Sequence, residues 1–163
     1  MSTSIKFFVL ILGVFSASCG KESDVDNTWD YGTSDNYSVE EVQYAVEMIL
    51  DAYGTHFGED TIARLKKEIM VRIVWENGTF ECGNKANASG CHEYGYNAAT
   101  IRLLDVGSCI GHTSIAHELL HLVLIAHGDE TSDLDNSNSD KFVLLQGYVG
   151  EVCSIVNSEM CGE

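Results

Sequence analysis

Residues 99–128 read ATIRLLDVGSCIGHTSIAHELLHLVLIAHG, and the fold turns on how this stretch divides. Ala99 to Asp105 reads as a β-strand. VGSCIGHTS is a turn, and Thr113 or Ser114 is the candidate N-cap of a strongly apolar helix running to His127. Within that helix His117, Glu118 and His121 spell H-E-x-x-H. Residues four apart on an α-helix lie on one face, so both imidazoles can aim at a common point.

Upstream, Ile69 to Trp75 (IMVRIVW) is apolar and β-branched and is bounded by Asn77-Gly78, which predicts a second strand. Residues 79–97 are rich in Gly and Asn and enclose Cys82 and Cys91, as a stapled loop or hairpin would. Further upstream, Ser38 and Glu41 form a capping box ahead of Val42, Ala45, Val46, Ile49 and Leu50 at helical spacing, with Gly54 as the expected end. A second helix is expected over Glu59 to Lys67. Downstream, residues 129–140 are acidic and loop-like, and KFVLLQGYVGEVCSIV supplies a last helix that Gly147 and Gly150 weaken. There are no internal repeats, and the chain has no proline.

At 163 residues the chain allows one domain with a hydrophobic core. Residues 1–18 combine a lysine, the apolar run FFVLILGVF and the small residues SAS ahead of Cys19. That arrangement resembles a bacterial lipoprotein signal, which implies Cys19 as the lipidated residue. A plain secretory signal is the alternative, and either one carries the chain out of the cytoplasm. Residues 19–37 are polar and acidic and read as a flexible tether, leaving residues 38–163 as the domain. Removal of residues 1–18 leaves 8 basic against 25 acidic residues, a formal charge of −17. Such a surface repels nucleic acid and anionic lipid, so membrane contact is expected through the anchor alone. In an oxidising compartment the remaining cysteines pair. The shortest loops join Cys82 to Cys91 and Cys153 to Cys161, which leaves Cys109 odd, and a Cys109–Cys153 pair stays open. No C-x-x-C occurs.

The predicted order is helix, strand, disulfide loop, strand, H-E-x-x-H helix, acidic loop, helix. It resembles the catalytic core of the zincin metallopeptidases, in which a strand precedes the active-site helix. The motif resemblance covers residues 99–127, and elsewhere it rests on element order. It implies an α+β fold, a small zincin-like domain with the active-site helix packed on a short β-sheet and stabilised by disulfides. It also implies Zn²⁺ on His117 and His121, and a zinc-activated water with Glu118 as general base for hydrolysis of a peptide or protein substrate. The alternative is a non-catalytic, metal-stabilised envelope lipoprotein that binds a partner.

A catalytic zinc usually takes three protein ligands. His127 falls at the spacing of the metzincins, H-E-x-x-H-x-x-G-x-x-H, which implies His127 as the third ligand. Leu124 stands where that family has glycine, and a left-handed leucine there would cost about 1–2 kcal/mol. A helix continuing to Gly128 would turn His127 away from the pair. Other candidates are Asp129, Glu130, Asp133 and Asp135 in the acidic loop. Glu151 on the last helix corresponds to the glutamate of gluzincins. A calcium loop around Asp133 and Asp135 lacks the glycine it needs at Asn138. A Met-turn could only be Met160. His112, Tyr94, Tyr96 and Tyr148 are candidates for steadying a substrate oxyanion.

Overall fold

The computed structural model describes residues 29–162. The signal segment and Cys19 lie outside the described residues. Among the described residues the fold is α+β, with four α-helices and a mixed sheet.

Strand β1 (Trp29–Asp30) leads to α1 (Val39–Phe57) and α2 (Glu59–Glu68), then β2 (Met70–Glu76). The capping box forms as the sequence requires. Ser38 Oγ accepts from the Glu41 amide, and the Glu41 carboxylate accepts from the Ser38 amide at 2.8 Å. The helix passes the expected stop at Gly54 and ends at Gly58, whose φ of 87° is open to glycine at no steric cost. Strands β3 (Phe80–Cys82) and β4 (Lys85–Ala88) form a separate hairpin, followed by β5 (Gly90–Gly95) and β6 (Ala98–Leu104).

The main sheet has the order β1-β2-β6-β5. The first three strands are parallel, and β5 runs antiparallel to β6 with Cys91 opposite Arg102. Along β6 buried Ala99, Ile101 and Leu103 alternate with partly exposed neighbours, and Val71 and Ile73 do the same on β2. One sheet face therefore meets the helices, as period-two strands require. That face packs on Val46, Ile49 and Leu50 of α1 and on Leu119, Leu120 and Leu122 of α3 (Ile115–His127) in a single core. The last helix, α4 (Phe142–Val156), continues into a wider turn at Asn157–Cys161. Among the described residues no helix is long and apolar enough to cross a membrane.

Two expectations are corrected. Residues 29–37 are not part of a tether. Trp29–Asp30 extends the sheet, Tyr37 is buried with its ring 4.9 Å from that of Trp75, and Ser34 and Asn36 both bond Asp105. The polar composition of this segment serves local turns and side-chain bonds. The Cys82–Cys91 bridge forms, but Cys161 pairs with Cys109 and leaves Cys153 free. Cys153 sits inside α4, half-buried against the core, whereas Cys161 lies past the helix where the chain meets the Cys109 turn. Loop length gave the wrong partner because the helix fixes where each thiol points.

Candidate metal centre

The face of α3 that carries His117 and His121 is held at its first turn. Thr113 Oγ1 donates to Ile110 O at 2.7 Å and accepts from the Ile115 amide at 3.3 Å. Tyr53 of α1, fully buried, donates its hydroxyl to Ala116 O at 2.9 Å. Burial pushes that phenol's pKa well above its usual value, so it remains a donor. These bonds fix the turn from which His117 and Glu118 project.

His117 Nε2 and His121 Nε2 face each other at 3.3 Å. Asp135 completes the group, with Oδ1 at 3.3 Å from His117 Nε2 and Oδ2 at 3.5 Å from His121 Nε2. Tetrahedral zinc with bonds near 2.0–2.2 Å separates its ligand atoms by about 3.3–3.5 Å. Two imidazoles and a carboxylate at these separations are therefore a donor set that could hold a divalent ion. Burial, then the neighbouring His92 and His117 rings, push the pKa of His121 down to about 3. It is thus neutral near pH 7, the form that binds metal.

Asp135 is delivered by the loop after α3. Leu134, fully buried, anchors the short helical turn Thr131–Leu134, and its carbonyl accepts from Gln146 Nε2 at 3.0 Å. Asp129 and Asp133 lie within 3.5 and 3.8 Å of the Lys141 ammonium, and Asp133 also accepts from Ser139. Both carboxylates share the Lys141 ammonium, and neither joins His117 and His121. Asp135 points back across them.

His127 does not join the group. The helix continues through buried Leu124 to a left-handed cap at Gly128, whose amide bonds Leu124 O and Ile125 O. His127 is left on the outer side, bonding Asp129 Oδ2 at 2.8 Å with its ring edge-on to Phe57. The expectation of His127 as a ligand is corrected by that geometry. Glu151 pairs with His56 on α1 at 3.3 Å and is likewise away from the site. His112 bonds Ser108, Tyr148 stacks on His56, Tyr94 and Tyr96 are exposed, and Met160 packs on the core.

Glu118 lies beside the pair and is 5 % exposed. His92 Nδ1, on β5, is 3.0 Å from Glu118 Oε2, and the His92 ring stacks on His121 at 3.9 Å. Glycine is favoured two residues before, because a Cβ on Gly90 would stand 2.5 Å from both Ser114 Cβ and Glu118 Oε1. Edge strand β5 thus closes around the carboxylate. His92, Glu118 and His121 also bring ligand atoms within 4.8 Å. This second group could also hold an ion, but the two rings are stacked at 26°, so an ion in the plane of one lies out of the plane of the other until His92 turns. The Asp135 group needs no such rotation. Inner-sphere histidines usually bond an outer acceptor through their second nitrogen. His121 Nδ1 is buried without one, and stacking on His92 orients the ring instead.

These groups line a cavity of about 410 Å³, whose rim carries Lys85, Ser89, Ser114 and the Cys82–Cys91 bridge. His92, Gly90 and Lys85 were not among the sequence candidates. The signal available was a histidine next to a half-cystine and two residues after a glycine, within a segment predicted only as a stapled loop. The chain matches no protein-family model, no curated protein and no solved structure.

Proposed function

We propose that the chain is a small zinc-dependent peptidase of zincin type, with the metal on His117, His121 and Asp135 and with Glu118 as general base. The observation that carries this reading is the mutual spacing of two Nε2 atoms and one carboxylate at 3.3–3.5 Å, with a buried glutamate alongside. When bound, a divalent ion supplies Lewis acidity towards a water molecule and the scissile carbonyl.

The chain's own residues do the rest. Glu118 takes a proton from the attacking water as its oxygen bonds the carbonyl carbon, and returns it to the leaving amine when the C–N bond breaks. His92, in the tautomer with hydrogen on Nδ1, donates to Oε2 and fixes the plane of that carboxylate. The reading extends to the N-terminus, where residues 1–18 and Cys19 would export and anchor the domain at a bacterial envelope. The two disulfides support an oxidising compartment.

Glu118→Gln is the test. The variant keeps the fold and its bound zinc, measured by circular dichroism and elemental analysis, and loses hydrolysis of a mixed peptide library by about 10²-fold or more. Zinc in the wild-type protein without hydrolysis of any peptide would instead leave a metal-stabilised binding module.

A further inference from the structure

We infer that Lys85 is a substrate-reading residue, and that the site takes peptides that carry a carboxylate close to the scissile bond. The inference rests on the peptidase reading above and gives it a substrate class.

Lys85 is carried on β4, and the Cys82–Cys91 bridge ties the neighbouring strand β3 to β5 at the cavity wall. The chain has 9 Lys and Arg against 25 Asp and Glu, yet the cavity rim includes one of these few cations. Its Nζ lies 3.7 Å from Asp135 Oδ1, the oxygen that faces His117 Nε2. Lys85 therefore stands against a carboxylate assigned to the ion. Once a dication takes Asp135, its two charges are matched by Asp135 and Glu118, and the Lys85 ammonium is left as a surplus positive charge beside a cation. That arrangement is unfavourable by itself and becomes favourable when an anion enters.

The 3.7 Å contact sets the Lys85 ammonium beside a proposed metal ligand, so an anion that it bonds lies close to a carbonyl held at the metal. With about 3.3–3.6 Å of extended chain per residue, that anion is within about two residues of the carbonyl. It is either the free C-terminus of a peptide cut near its end, or an acidic side chain near the scissile bond. Both present the same chemistry to Lys85.

Binding to the zinc-loaded full chain tests this without turnover. The probes are N-acetylalanine, N-acetylalanine amide and N-acetylglutamic acid α-amide, titrated by calorimetry into wild type, Lys85→Met and Lys85→Arg. Wild type is expected to bind one or both carboxylate probes about three- to tenfold more tightly than the amide. Lys85→Arg keeps that preference, Lys85→Met abolishes it, and zinc content is the same in all three. Preference for N-acetylalanine alone assigns the C-terminal carboxylate, and for the glutamate probe alone the side chain. No preference in wild type, or a preference that survives in Lys85→Met because the carboxylate sits on zinc, overturns the inference. Hydrolysis of peptides with acid and amide C-termini is followed in parallel. Selective binding with no turnover of any peptide counts against the peptidase reading and leaves the carboxylate site standing. Turnover indifferent to the carboxylate overturns the site alone.

Discussion

Glu118 shows what one residue needs from its neighbours. An anionic carboxylate at 5 % exposure has lost most of its water, and a hydrogen bond from His92 replaces part of that solvation. His92→Leu removes the donor and the stacking partner of His121 together. It is expected to lower kcat by about 10- to 100-fold with little change in KM, while His92→Asn, which keeps a donor near Nδ1, recovers part of the rate. Steady-state kinetics on one cleaved peptide checks this, and equal loss in both variants would mean that the bond has no role. The sequence announced Glu118 through its place in H-E-x-x-H. It could not announce His92, whose meaning comes from strand pairing that puts β5 beside α3.

At the scale of the element, the end of α3 decides which residues join His117 and His121 as candidate ligands. Leu124 is 1 % exposed, and burying it stabilises the helical course by about 2 kcal/mol, whereas a left-handed turn there would cost 1–2 kcal/mol more. Both terms favour continuing the helix, and Gly128 then ends it at no steric cost. Leu124→Gly would restore the metzincin pattern in sequence. It is expected to cost about 3–6 kcal/mol in urea denaturation, from the lost side chain and the glycine together, without improving zinc affinity. Most elements were legible from periodicity and caps. The strands of residues 70–76 and 98–104 and the α1 capping box fall within a residue of the predicted positions. The short strand at Trp29–Asp30 was not, because two residues carry no period and depend on the edge of β2 for their pairing. Asp135 stood among several loop acids. Burial of Leu134 and the Lys141 ion pairs single it out, and neither shows in local sequence.

Across the whole molecule, the two disulfides divide the work. The Cys109–Cys161 bridge, with a separation of 52 residues, ties the chain's end to the turn that starts α3. The Cys82–Cys91 bridge, with a separation of 9, holds the cavity wall. Loop-closure entropy gives the longer bridge roughly 4 kcal/mol and the shorter roughly 2.5–3 kcal/mol. Replacing Cys109 and Cys161 by serine should therefore lower Tm by on the order of 10 °C, more than the Cys82/Cys91 pair does, in differential scanning calorimetry. The Cys109–Cys161 bridge and the Tyr53 bond hold the start of α3, and the Cys82–Cys91 bridge holds β5 to the hairpin, around the candidate ligands His117, His121 and Asp135. Zinc titration of the metal-free protein, with wild type beside Asp135→Ala and His127→Ala, tests that arrangement most directly. Zinc binding is expected to be at least about tenfold weaker in Asp135→Ala and unchanged in His127→Ala. Full zinc affinity in Asp135→Ala, with loss in His127→Ala, would contradict it.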